Sequence, residues 1–272
     1  MRRATLAWAA LALAAVAHAT DAADTNLWFH VGEELTYRVY WGRLRVGTCQ
    51  ITTEWVQQNG RRLLAIRYRT RSHKVIESLY PVDDFIESLI DPDGFRPVRF
   101  EKRLSEGRHR SHEITTFDYD RKLAIWEAPM RKRRDEIPIA ADTRDLVSFL
   151  YFIRGQGLDP GTVKQYQVMT DEKVYDVWVK TGLLESVPLP GYGRIPSLRV
   201  DPEAAFNGLF MRKGKVTVWV SNDARHIVTR IVASVPVASI KVVLEDVRGP
   251  GDDFWIRMKE KKPGPEPSAG KE

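Results

Sequence analysis

The chain is poor in cysteine: Cys49 is the only one in 272 residues. A single cysteine closes no internal disulfide, so stability has to come from a hydrophobic core. After the first nineteen residues no apolar run is long enough for a membrane-spanning helix. Histidine and cysteine are never grouped as a zinc site requires. No nucleophile, base and orienting group can be assembled into a hydrolytic set. Excess charge is also small. The formal net charge is +6 and falls to about +4 without Arg2 and Arg3. Basic residues are interleaved with acids along the chain, which argues against a nucleic-acid partner.

What is present begins with MRRATLAWAALALAAVAHAT. Arg2 and Arg3 form a positive start, Ala4 to Val16 are apolar, and Ala17-His18-Ala19 has the small-x-small form of a cleavage site. The apolar run is shorter than the ~20 residues of a spanning helix. Residues 1–19 therefore read as a secretory signal peptide, cleaved after Ala19, and the mature chain as exported. Residues 20–258 read as a single β-rich domain of one large core. The segment 259–272, KEKKPGPEPSAGKE, reads as a disordered tail.

Most of the mature chain alternates polar and apolar residues. In ELTYRVYW, Leu35, Tyr37, Val39 and Trp41 face one way and the polar residues mainly the other, the pattern of a half-buried strand. Asn59-Gly60 is a strong hairpin signal, and turn residues recur at short spacing to residue 246. The expected fold is mainly β. It is a large curled antiparallel sheet, or partly open barrel, of about a dozen strands.

One stretch departs from the alternation. RDLVSFLYFIRG places Leu146, Phe149, Leu150 and Ile153 at i, i+3, i+4 and i+7, one stripe of a helix. Asp142 is read as its N-cap with Asp145 at N3, and Gly155 as its end with φ > 0. Val147, Tyr151 and Phe152 widen the apolar surface, so a single buried helix over about 144–155 is expected to plug the curled sheet.

Four segments carry a resemblance: GEELTYRVYWGRLRVG (32–47), RDLVSFLYFIR (144–154), NGLFMRKGKVTVWVSNDARHIVTRI (207–231) and ASIKVVLED (238–246). Taken in order they resemble the DUF3108 family of exported bacterial proteins, over roughly 28–247. The family tends toward Gly where Ala238 stands. The resemblance implies a periplasmic, mostly β protein. It brings no catalytic motif and hence no site residues.

Chemical candidates have plainer readings. His109 and His112 fall at i and i+3 entering a strand, on opposite faces, and read as surface histidines. Asp83, Asp84, Asp91 and Asp93 form an acidic group, but Asp91-Pro-Asp-Gly is a turn and lacks the ligands of a calcium loop. Ser221, Asp223 and His226 lie on a hairpin turn, without the elbow that exposes a nucleophilic serine. Arg131-Lys132-Arg133-Arg134 reads as a solvated edge that blocks edge-to-edge pairing, with anionic headgroups as the alternative partner.

Seven tryptophans remain in the mature chain, and most read as core. Trp219 breaks phase with Val216, Val218 and Val220, so its strand is apolar on both faces. Trp219, Phe149 and Phe152 are the candidate residues lining a ligand pocket. The favoured function is a non-catalytic binding or carrier module for an apolar or lipid-like ligand, with no cofactor and no metal. The alternative is an envelope structural or assembly protein acting through surface contacts with a protein partner.

Overall fold

The structure, a computed structural model, describes residues 27–206, 209–210, 215–234, 239–251 and 253–260. The expected signal peptide and cleavage site, Ala238, and the expected tail from residue 261 onward lie outside the described residues, as do parts of the 207–231 segment.

The first half of the chain is a meander. It comprises β1 (Glu34–Trp41), β2 (Leu44–Gln58), β3 (Arg61–Ser72), the short helix α1 (Lys74–Glu77), β4 (Asp83–Asp91), β5 (Arg96–Glu106), β6 (His109–Asp118), β7 (Leu123–Ala128) and β8 (Arg133–Pro138). The two-residue β9 (Arg144–Asp145) leads into α2 (Leu146–Arg154). Then follow β10 (Val163–Thr170), β11 (Lys173–Leu189), β12 (Gly193–Phe206), β13 (Leu209–Phe210), β14 (Lys215–Ser221), β15 (Val228–Ser234), β16 (Ser239–Arg248) and α3 (Phe254–Glu260).

All sixteen strands belong to one sheet, ordered β8-β7-β6-β5-β4-β3-β2-β1-β16-β15-β14-β12-β11-β10-β9, with β13 paired to β12. The two ends of this path, β8 and β9, are not paired, so the sheet is not closed. The count exceeds the expected dozen, partly because two strands have only two residues each. The expected single helix is joined by α1 and α3, and α3 carries Lys259 and Glu260 in helix where a tail was expected.

Local chemistry explains much of the meander. Asn59 and Gly60 both take positive φ, 51° and 75°, as the tight β2–β3 hairpin requires. Leu35 and Tyr37 are buried as their alternation predicts, but Trp41 is 58% exposed. A register shift between Val39 and Tyr40 breaks the alternation before Trp41 is reached. The edge strand β8 is guarded by charge: Arg133 pairs with Asp135 at 2.7 Å and Arg134 with Glu136 at 2.9 Å.

Residues of β1, β2 and β3 face α2 from one side, and residues of β10, β11, β12 and β14 face it from the other. Those strands are far apart in the sheet order. The sheet must therefore curl around the helix. Antiparallel connections divide between two rims. The β1–β2, β3–β4, β5–β6, β7–β8 and β10–β11 connections form one, here the upper rim. The β2–β3, β4–β5, β11–β12 and β14–β15 turns and α3 form the lower rim.

The helix begins one turn later than its sequence suggests. Asp145, not Asp142, is the N-cap: its Oδ1 accepts from the Val147 and Ser148 N–H groups, each at 2.8 Å. Its Oδ2 accepts from the Ser88 hydroxyl of β4 at 2.6 Å, which ties the cap to the sheet. Gly155 does close the helix, but at φ −88° rather than in the left-handed region. A Cβ there would lie 2.2 Å from the Trp28 ring, so the glycine serves a close approach. Trp28 Nε1 donates to the Tyr151 carbonyl at 2.8 Å, satisfying one of the orphan acceptors at the helix end.

Candidate ligand-binding site

The stripe Leu146, Phe149, Leu150 and Ile153 lies on one side of α2, as its spacing predicts, but it is not uniformly buried. Phe149 and Ile153 are buried, Leu150 is half-buried, and Leu146 is 43% exposed. The stripe faces a cavity rather than a packed layer. The rest of the helix surface, with Val147, Ser148, Tyr151 and Arg154, carries the tighter burial, although Tyr151 and Arg154 still reach the cavity.

The cavity has two lobes that share Leu150, Arg154, Val228 and Ile231. The larger, about 450 Å³, lies between the stripe and the valines of β11, β12 and β14: Val177, Val179, Val200, Val216, Val218 and Val220. The smaller, about 300 Å³, lies against Leu35, Tyr37 and Val39 of β1, Cys49 and Ile51 of β2, and Tyr68 and Thr70 of β3. The walls of the larger lobe are mostly aliphatic because each strand points alternate residues inward and those residues are mainly Val, whereas the smaller lobe adds Tyr37, Tyr68, Cys49 and Thr70.

The larger lobe runs from the upper rim toward the lower. At its upper end stand Thr170, Tyr175, Ala204 and Val216, near the ends of β10, β11, β12 and β14, beside the exposed Leu146. At its lower end Ile153, Arg154 and Val220 are buried. The lobe is thus open above and blind below.

Its floor is an ionic lock. The fully buried Glu33 carboxylate accepts two bonds from the Arg154 guanidinium, at 2.7 and 2.8 Å, and one from Arg225 at 2.7 Å. The Tyr151 hydroxyl donates to it at 3.0 Å. Arg225 also donates to Asp253 at 2.9 Å, so the two cations face two carboxylates. Arg154 Nε donates to the Arg225 carbonyl at 3.1 Å. His226 Nδ1 lies 2.6 Å from the Arg154 carbonyl and must carry the proton there. Burial alone would raise the Glu33 pKa, but Arg154 and then Arg225 outweigh it and hold the carboxyl at about 2. Arg154 is raised by the same pairing, against the effect of burial.

Polar points inside the cavity are few. The Tyr37 and Tyr68 hydroxyls have no hydrogen-bond partner among the described residues, and burial pushes the pKa of both upward. Cys49 is half-buried and free, and burial likewise raises its thiol.

Of the three aromatic candidates, Phe149 lines the cavity and two do not. Trp219 points to the other face of β14, where its indole donates to Glu185 at 2.7 Å under the Arg230 guanidinium at 3.8 Å. The break of phase was real, but it put Val216, Val218 and Val220 on the cavity and Trp219 away from it. Phe152 points off the stripe, beneath Arg144 at 3.6 Å and edge-on to Trp28. Among the described tryptophans only Trp126, Trp219 and Trp255 are buried.

The other candidates are structural. Ser221 Oγ donates to Asp223 at 2.7 Å and accepts from the Ile227 N–H at 2.8 Å, while His226 is turned to the α2 carbonyl. His112 contacts Glu101 at 2.8 Å. Asp83 pairs with Arg69 and Arg71, Asp84 accepts from the Ser105 N–H, and Asp91 pairs with Arg61. Arg131 reaches Glu113 at 2.7 Å. The lock residues went unread in the sequence. Glu33 sits in an ordinary Gly-Glu-Glu turn, and Arg154 resembles a routine cation at a helix C-terminus.

No helix among the described residues is long and apolar enough to cross a membrane. A beta-barrel-like protein of the DUF1849 family from Brucella abortus has a similar fold: TM-score 0.55, 11% identity, covering 81% of this chain and 98% of that one. A "putative lipoprotein" from Parabacteroides distasonis aligns at TM-score 0.35 and 8% identity, over 82% of this chain and 98% of that one. Among curated proteins none matches the chain. The profile of the family described as "Protein of unknown function (DUF3108)" matches residues 36–245. With most of its length covered by that match, the chain belongs to the DUF3108 family.

Proposed function

We propose that this protein is a non-catalytic binding or carrier module of the cell envelope, exported to the periplasm, and that it holds an apolar, chain-like ligand beside α2. One observation carries the reading: a largely apolar cavity with lobes of about 450 and 300 Å³, open at one rim and blind at the other. That size falls in the range of small-molecule sites, about 300–1,000 Å³. Polar groups are sparse, so shape and hydrophobic burial select the ligand. The Tyr37 and Tyr68 hydroxyls can anchor a single polar group on it.

The non-catalytic part of this reading rests on how the candidate polar groups are already engaged. Glu33 is neutralised by two arginines, and the hydroxyl, carboxylate and imidazole of the β14–β15 turn hold backbone groups. None of them is poised over the cavity as a nucleophile with its base.

The test is titration of delipidated protein with an environment-sensitive apolar dye, followed by displacement with fatty acids of graded length. Saturable dye binding that acyl chains displace is expected. Val200→Trp, which fills the larger lobe, should abolish it while the protein still melts cooperatively. No saturable binding in the wild-type protein would sink the carrier reading and favour an assembly protein acting through its surface.

A further inference from the structure

We propose that the upper rim is a membrane-docking edge, which seats the mouth of the cavity on a bilayer rich in anionic headgroups. The purpose of docking rests on the cavity reading above; the docking itself does not.

The observation is where the exposed apolar side chains lie. On the β3–β4 connection, Val75 is 72% exposed, Leu79 83% and Tyr80 51%. Trp41 and Leu44 stand at the β1–β2 turn, and Ile240 is the register partner of Trp41 on the neighbouring β16. Met130 follows β7, and Val216 stands near the start of β14 beside the mouth. All these positions are on one edge of the sheet, because the antiparallel order sends each of these strands to the same rim. Scattered exposed apolar residues are ordinary, but a row gathered on one rim is not.

Charge on the same rim decides between occupants. The five connections named above carry, among the described residues, Arg43, Lys74, Arg108, Arg131 and Lys132, against Glu77, Asp171 and Glu172. Interleaved cations and protruding apolar side chains match an interface of anionic headgroups over acyl chains. A protein-docking core would be depleted in such charge. The larger lobe opens on this rim, so an apolar ligand would pass between bilayer and cavity without crossing water. The ionic lock closes the opposite end, leaving a single route.

The test is co-sedimentation of the exported protein with vesicles of phosphatidylglycerol and phosphatidylethanolamine. Binding is expected, weaker at high salt and weaker to phosphatidylcholine alone. Val75→Glu with Leu79→Glu should lower the partition coefficient roughly tenfold or more. Both side chains are exposed, so the melting temperature should hold. Leu183→Glu with Leu184→Glu, equally exposed but on the mid-strand of β11, should leave binding unchanged. Val200→Trp should lose the apolar dye yet still sediment, which separates failure of the cavity reading from failure of this one. Wild-type protein that stays in the supernatant, or rim variants that bind as well as wild type, would overturn the proposal. So would rim variants that lose only a specific protein cross-link, since the rim would then be a protein-docking face.

Discussion

Arg154 decides more than any other side chain. It ends α2, floors both lobes of the cavity and neutralises Glu33. Breaking a buried pair from one side leaves an uncompensated charge, so Arg154→Met should cost about 3–5 kcal/mol in denaturant unfolding. Adding Glu33→Gln should recover part of that loss, because the stranded charge is then gone. The same carboxylate contributes to the acid limb of stability, beside Glu101, Glu113 and Glu245, whose ion pairs also hold them below the ordinary range. Its folded pKa of about 2 lies below the ordinary 4.5. Its contribution, roughly 3 kcal/mol, is complete above pH ~4.5 and is lost as pH falls toward 2. Asp145 acts in the opposite sense. Burial lifts its pKa from 3.8 to about 6, so the stability it lends is full below about 3.8 and declines as pH rises through 6. Melting curves across pH 2–7 should show both limbs, with Glu33→Gln making the first shallower and Asp145→Asn the second.

At the scale of the element, α2 is held at both ends by partners distant in sequence. Ser88 and Asp145 fix its start; Trp28 and His226 take up carbonyls at its finish. Gly155 belongs to this design. Gly155→Ala drives a Cβ into the Trp28 ring and should lower stability by about 1–3 kcal/mol, with a changed near-ultraviolet signal from the displaced indole. An unaltered melting temperature would mean that Trp28 does not pack there. The helix existed in the sequence as an apolar stripe, and its type and approximate bounds were legible. The cap was misplaced because Asp142 and Asp145 both suit an N-cap, and only the Ser88 contact chooses between them. Burial of the stripe was misjudged because amphipathic spacing tells which residues share a side, not whether that side meets side chains or a void.

At the scale of the molecule, a sheet of this width curls and encloses more volume than one nine-residue helix fills. What remains is the cavity, and a bound ligand would stabilise the folded form by mass action. Protein purified from an exporting host should therefore melt higher than the same protein after delipidation, and added acyl-chain ligand should restore the difference. Equal melting temperatures throughout would count against a resident ligand.

The β class, the strand alternation, the Asn59-Gly60 hairpin, the central helix and the family are legible in the residues alone, because each is written in short-range pattern. Period-2 burial and turn chemistry are local properties that survive without knowledge of the partners. That Val216, Val218 and Val220 line a cavity while Trp219 does not follows from the three-dimensional packing. Alternation separates two faces of a strand but does not label them inside and outside. That packing alone also brought Glu33, Arg154, Arg225 and Asp253 together. Those residues are up to 220 positions apart, and a buried ion pair leaves no periodic trace in a sequence, since its energy exists only once water has been excluded.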